Sequence, residues 1–236
     1  MEVALTSIVR NAMGYIDRYV NQVGELARML YENGEHDLDV YIAEGDSTDG
    51  TWEWLQAWAA DHFNPHEYGV TAIKADHGGP VFGSVDNEVR WRNIARTWNK
   101  LYQLVALHQP DAVIYVEADL HWQPATMQRL LEHLSTVPAV APLSLHRPTG
   151  FFYDTWGHRG ADGANFGPHK PYHPSLATWT PEDGLVPIRS AGSCKVLRGE
   201  IVGRCWFNET DAMLGHDLYA KGYSLWLDPS LSVEHP

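Results

Sequence analysis

The chain has 236 residues, with 17 basic against 30 acidic side chains and a formal net charge of −13, and a single α/β domain accounts for that length. So acidic a chain lacks a broad electrostatic footprint for nucleic acid or an anionic membrane, although a local basic pocket is still allowed. No apolar run reaches the ~18 residues of a membrane span, and Met1-Glu2-Val3-Ala4-Leu5 lacks the basic start of a secretion signal. The expectation is a cytoplasmic protein without a membrane span. Cys194 and Cys205 are too few for a disulfide framework and read as reduced core thiols.

Residues 3–9 read as a first strand, and Ile16, Tyr19, Val20, Val23, Leu26, Ala27 and Leu30 then repeat at helical spacing up to Asn33-Gly34. The apolar, β-branched run Leu38-Asp39-Val40-Tyr41-Ile42-Ala43 predicts a buried second strand. Residues 52–58 read as helix and 70–74 as a third strand, followed by a loop from Asp76-His77-Gly78-Gly79-Pro80 to Gly83. Trp91, Ile94, Trp98, Leu101 and Val105 mark an amphipathic helix whose polar side, with Arg90, Arg92, Asn93, Arg96 and Lys100, is the densest basic patch in the chain. Residues 112–116 form a strand pattern, Pro124 opens a helix carrying Leu130, Leu131 and Leu134, and residues 139–145 read as a further strand.

From Arg147 to Pro187 the periodicity is lost amid Gly, Pro, His and aromatic residues, a length that marks either a functional or a poorly ordered loop. Order returns over 185–197, with a helix around Asp211 to Lys221 and a last strand near 224–227. Trp91, Trp98 and Trp206 read as core. His62, His66, His77, His108 and His133 read as surface or loop residues without a role. Strand-helix alternation followed by mixed elements predicts an α/β fold with a mainly parallel sheet flanked by helices. One domain covers 1–236, with a nucleotide-binding half over 1–122 and an acceptor half over 123–236 that contains the irregular insertion.

Two acidic clusters stand at carboxyl ends of predicted strands: Glu44-Gly45-Asp46-Ser47-Thr48-Asp49-Gly50-Thr51 and Glu117-Ala118-Asp119. Open α/β sheets bind ligands just beyond such strand ends. Carboxylates there suit a nucleotide and a divalent metal, because a departing nucleoside diphosphate gathers negative charge that a hard cation neutralises. Asp119 is the first metal-ligand candidate. Asp49 with Gly50 reads as turn architecture.

Strand one ending at Arg10-Asn11, the first acidic turn, the Arg92-Asn93 helix and Glu117-x-Asp119 come in the order seen in glycosyltransferases of the GT-A (Rossmann-like) fold. Phe152-Tyr153-Asp154-Thr155-Trp156 and His216-Asp217-Leu218-Tyr219-Ala220-Lys221-Gly222-Tyr223, leading to Val233-Glu234-His235, extend the likeness. The sequence resembles the fungal mannan-polymerase and capsule-associated mannosyltransferase families and, more distantly, the large bacterial nucleotide-sugar glycosyltransferase family. It departs from them in having Glu-x-Asp where Asp-x-Asp is usual.

The resemblance implies transfer of a hexose from a nucleotide-diphosphate sugar to a hydroxyl acceptor, a saccharide or a modified nucleobase, with a lean toward GDP-mannose and retention. Glu117 would touch the ribose or hold metal through water, and His235 would complete a shell around Mn²⁺ or Mg²⁺, its nitrogen favouring Mn²⁺. Arg10, Glu44, Asp46 and Ser47 are nucleotide-binding candidates, and Arg92 and Arg96, four apart, are candidates for the diphosphate. Tyr153, Asp154 and Trp156 are assigned to substrate. Asp217 would be the general base of an inverting enzyme, or an orienting group in a retaining one. The alternatives are a nucleotidyltransferase of related fold, whose Gly-rich basic loop Arg10-Asn11-Ala12-Met13-Gly14 matches poorly, and a non-catalytic carbohydrate- or nucleotide-binding protein.

Overall fold

The computed structural model describes residues 1–34, 37–61, 68–83, 85–210 and 212–236. The described strands form one nine-stranded sheet in the order β3-β2-β1-β4-β8-β5-β9-β7-β6. Its amino-terminal half is parallel: β1 (Glu2–Val9) lies between β2 (Asp37–Glu44) and β4 (Ala112–Val116), and β3 (Gly69–Lys74) extends β2. These strands alternate between two cores. Val3, Leu5, Leu38, Val40, Ile42, Ile114 and Val116 face one, while Ala4, Tyr41, Ala43, Val113 and Tyr115 face the other, as a pleat buried on both sides requires.

Helices α1 (Ile16–Glu32), α2 (Thr51–Asp61) and α4 (Pro124–His133) cover the first face. The buried Ile16, Tyr19, Val23, Leu26, Ala27 and Leu30 follow the apolar repeat of the sequence, and α1 stops at Asn33 before Gly34, whose φ of +66° suits glycine. Helix α3 (Glu88–His108), capped by the Asn87 side chain accepting from Val89 and Arg90 N–H groups, covers the second face. Its Trp98 is fully buried and stacks on Tyr115, with ring centroids 4.0 Å apart, and on Phe207.

The carboxyl half differs from the sequence reading in three places. The run over 185–197 is two strands that do not neighbour one another: β7 (Val186–Ser190) pairs with β9, whereas β8 (Cys194–Arg198) lies antiparallel between β4 and β5 (Ala139–His146). The helix expected around 211–221 is α5 (Gly215–Ala220), and Asp211 lies outside the described residues, as do His62 and His66. The last strand does not stop at Leu227. β9 runs from Leu225 to His235 parallel to β5, pairing Pro142 with Asp228 and Leu143 with Ser232, so residues 229–231 bulge out and the strand resumes.

The stretch over 147–187 holds the short β6 (Arg159–Gly160) and two single 3-10 turns, and it buries Phe152, Phe166 and Tyr172 in the second core. Cys194 and Cys205 are buried free thiols. No described helix is long and apolar enough to cross a membrane.

Candidate active site

A cleft opens at the carboxyl ends of β1, β2 and β4, where the sheet's parallel strands present their turns. Its first compartment, about 290 Å³, is lined by Arg10, Asp46, His77, the Glu117–Asp119 segment, Tyr153 and His235, among others. A second compartment, about 380 Å³, is lined by Asp86, Trp91, Tyr115, residues 153–156, Gly192 and Ser193, among others. Arg90, Ile94, Glu117 and Tyr153 belong to both and form the wall where they meet.

The first acidic turn is knitted to the end of β1. Asn11 N–H donates to Ser47 Oγ at 2.9 Å, Thr48 N–H donates to Asn11 Oδ1, and Met13 N–H donates to Asp49. Glu44 is fully buried, and its Oε1 accepts from Ser47 N–H at 2.7 Å. Neither Glu44 nor Ser47 lines the cleft; both shape the turn that does. Asp46 lines it, at a φ of +57°. Its carboxylate accepts the N–H groups of His77 and Gly78, each at 3.0 Å. Burial acts to raise the Asp46 carboxyl, but these donors with Arg10 and His77 outweigh it and hold the pKa low. His77, read as a bystander in the sequence, is therefore part of the compartment, with Nε2 2.9 Å from Thr97 Oγ1. Arg10 reaches Pro80 O through Nη1 at 3.4 Å, and its buried Nε has no partner.

At the floor, Asp119 Oδ2 lies 3.3 Å from His235 Nε2. Asp119 Oδ1 is buried without a hydrogen-bond partner, a charged oxygen that a hard cation would satisfy. Burial acts to lower the His235 pKa, yet its hydrogen bond to Asp119 and the charge of that carboxylate outweigh burial and raise it. The imidazole stacks on Tyr153 at 3.7 Å between centroids and 10° between planes. Glu117 is pushed up, first by burial and then by the charges of Asp119 and Asp154. Among the described residues no group of three His, Cys, Asp or Glu side chains clusters as a metal site, so a cation here would draw its remaining ligands from phosphate and water.

Helix α3 presents Arg90, Asn93, Ile94 and Thr97 to the first compartment, the i, i+3, i+4, i+7 face of a helix. Arg92 and Arg96, chosen from sequence for the diphosphate, lie off that face and are exposed, both drawn to Glu209, with Arg96 Nε 3.0 Å and Arg92 Nε 3.9 Å from it. Arg90 is the arginine of this helix that lines the cleft. Trp91 is likewise not core: it lines the second compartment and lies parallel to Trp156, 2° apart in plane.

Tyr153, Asp154 and Trp156 all line the second compartment. Asp154 accepts from Gly157 N–H, Ser193 N–H and His158 Nδ1. A Cβ on Gly157 or Gly192 would collide with its carboxylate, so glycine is needed at both places. Burial alone would raise the Asp154 carboxyl, but His158, by hydrogen bond and charge, and the two N–H donors hold it below the usual range.

Beneath this wall is Lys195, which is 1 % exposed. Its ammonium donates to Gly192 O at 2.7 Å and sits 3.4 Å from the Tyr115 ring centroid. No local pattern announces it, since a single lysine in a strand pattern ordinarily reads as exposed.

Asp217, the expected general base, lines neither compartment among the described residues. Its Oδ2 accepts from Trp206 N–H at 2.8 Å and from Lys221 Nζ at 2.6 Å. It ties α5 to the 204–206 segment and pairs with the lysine one turn on, an arrangement that sets it apart from the other candidates at the cleft.

Sheet order and cleft together define a Rossmann-like α/β fold, a large mixed sheet flanked by helices with its cleft at the carboxyl ends of the parallel strands. Among solved structures the chain is similar to S. aureus TarS 1-349, with a TM-score of 0.53 and 12 % identity, over 98 % of this chain and 61 % of that one. The chain thus spans about three fifths of that structure's length, and at such identity the likeness is one of fold. No protein-family model matches the chain, and no curated protein matches it. The narrower resemblance to fungal mannosyltransferase families therefore has no support beyond the motifs that suggested it.

Proposed function

We propose that the chain transfers a hexose from a nucleotide-diphosphate sugar to a hydroxyl acceptor, a saccharide in preference to a nucleobase. The observation that carries this reading is the pair of compartments meeting at one wall of Arg90, Ile94, Glu117 and Tyr153, on a fold shared with a bacterial glycosyltransferase. A transferase must hold two substrates with one reacting centre between them, and that wall gives the centre a place. The first compartment takes the nucleotide, with Arg10, Asp46 and His77 around it.

Asp119 and His235 would hold a divalent cation, which when bound supplies positive charge to the departing diphosphate. Asp119 Oδ1, buried and unpartnered, fits that role. In the transfer, the bond between the sugar's anomeric carbon and the diphosphate oxygen breaks with its electron pair going to the diphosphate. A new bond forms to the acceptor oxygen, whose proton leaves. Acceptor-side carboxylates available to that proton or hydroxyl are Asp86, Glu117 and Asp154.

A saccharide acceptor is favoured by the stacked, parallel Trp91 and Trp156, which line the same compartment as these carboxylates: apolar C–H faces of a sugar pack on indole, and its hydroxyls donate to carboxylate. The acidic lining and the net charge of −13 disfavour a polyanionic acceptor.

The test is a thermal-shift series with UDP-, GDP- and TDP-sugars, with and without Mn²⁺, followed by assay of nucleoside diphosphate release. Ligand at a hundred times its Kd stabilises by about 2.7 kcal/mol. A Mn²⁺-dependent upward shift for one base, with release on adding a saccharide acceptor, is expected. Absence of any shift across the series would overturn the reading.

A further inference from the structure

Arg90 occupies the wall between the compartments, half-buried in the first turn of α3. Of the other cations around the cleft, Arg92 and Arg96 pair with Glu209, His235 with Asp119 and Lys195 with Gly192 O below the wall; Arg10 lies in the first compartment only, with one long bond to Pro80 O and its buried Nε unpartnered. Among the described residues no hydrogen bond or ion pair engages the Arg90 guanidinium. Glu117 and Tyr153 act on it only through space.

The group is nonetheless fixed in place. Its Cζ lies 4.3 Å from the centroid of the Trp91 ring, which is itself held by Nε1 donating to Asp86 at 2.9 Å and by the parallel Trp156. A guanidinium shelved on an indole keeps its N–H edge available in one plane, the arrangement that matches two oxygens of an oxyanion. Burying a cation with no counter-ion is unfavourable unless a ligand provides one.

We infer that Arg90 binds the distal phosphate of the nucleoside diphosphate, the oxyanion that stands at the seam when the sugar departs toward the second compartment. The inference rests on the nucleotide-sugar reading above and adds to it the residue that distinguishes a diphosphate from a monophosphate. Arg92 and Arg96, two and six residues further along the same helix, have no part in it.

Titration calorimetry of the whole chain with nucleoside mono- and diphosphates of the preferred base, in Mn²⁺, separates the possibilities. Arg90→Gln should weaken diphosphate binding about 10- to 100-fold, as loss of a charge-assisted bidentate contact does, and leave monophosphate binding within about twofold. Arg90→Lys, a charge without the fork, should fall between. A thermal melt of each variant confirms that it is folded.

Unchanged diphosphate affinity in Arg90→Gln would overturn the inference, as would equal losses for mono- and diphosphate. So would a variant that keeps diphosphate affinity but loses a preference for an acidic over a neutral hexose in the donor, which would assign the arginine to a sugar carboxylate. If the native chain binds no nucleotide at all, the transferase reading itself fails; if it binds both nucleotides and Arg90→Gln does not discriminate, only the arginine's role fails.

Discussion

Tyr153 and His235 stack face to face, 3.7 Å between centroids, joining the irregular stretch after β5 to the end of the last strand. The contact sets the imidazole edge toward Asp119, 3.3 Å away, and places the phenol at the seam of both compartments. One aromatic pair thus ties the floor of the first compartment to the wall of the second, so a movement of the 153–156 segment is felt at Asp119.

Asp154→Asn should destabilise the chain by about 1–3 kcal/mol at neutral pH, because either orientation of the amide sets an NH₂ against the N–H of Gly157 or of Ser193. The sign of the pH effect follows from the depressed folded pKa. The carboxylate's contribution is present above the unfolded value of about 3.9 and is lost as pH falls through the lower folded value. Urea midpoints measured from pH 7 to pH 3 should therefore fall more steeply for the native chain than for the variant; parallel curves would contradict the account of Asp154.

Asp217→Ala should cost about 1–2 kcal/mol, from the Trp206 N–H left without its acceptor and the broken pair with Lys221. Turnover of the folded variant should stay within about twofold of native, since the carboxylate stands outside the cleft. A large drop in kcat with an unchanged urea midpoint would restore Asp217 to the reaction.

Lys195→Met tests the buried ammonium. Burial lowers its pKa to about 8, against the opposing charges of Asp154, Cys194 and Glu117. An unfolded lysine keeps its proton to about 10.4, so between about 8 and about 10 the unfolded state binds more protons and native stability rises with pH. The methionine variant lacks that rise and at pH 7 should be at least as stable as native, because an uncharged side chain of similar length replaces a desolvated charge. Denaturation at pH 7 and 9.5 would show it: over that interval the native chain should gain about 1–2 kcal/mol relative to the variant, because other groups, Glu117 among them, titrate in both, and parallel curves would assign the titration elsewhere.

Much of the amino-terminal half was legible because its strands are buried on both sides and its helices carry one apolar stripe, so periodicity marks them directly. The acidic turns were legible because the carboxyl ends of parallel strands open on a cleft, which Asp46 and the Glu117–Asp119 segment line. In α3 the stripe of Ile94, Trp98, Leu101 and Val105 marks the packed face; extending it to Trp91 draws Arg92 and Arg96 forward and leaves Arg90 behind. The buried residues Ala95, Trp98, Leu101, Tyr102 and Val105 fix the phase, and with it the face of Arg90, Asn93, Ile94 and Thr97.

Two other misses have different causes. The apolar pattern of the last strand fades after Leu227, whereas the chain carries residues 229–231 in a bulge and continues as strand to His235. Lys195 is buried because Tyr115 and Phe207 offer ring faces, partners distant in sequence that no local pattern reveals.

The position of β9 also governs when the site comes into being during synthesis. Asp119 follows β4, but its partner His235 arrives on a later strand, β9, that lies between β5 and β7. A nascent chain carrying everything through β8 would own the acidic turns, the arginines and both tryptophans and still lack the floor that unites them. The Asp119–His235 pair therefore waits on the making of β9, and a chain translated only through β8 carries the Asp119 carboxylate without the imidazole that stands beside it.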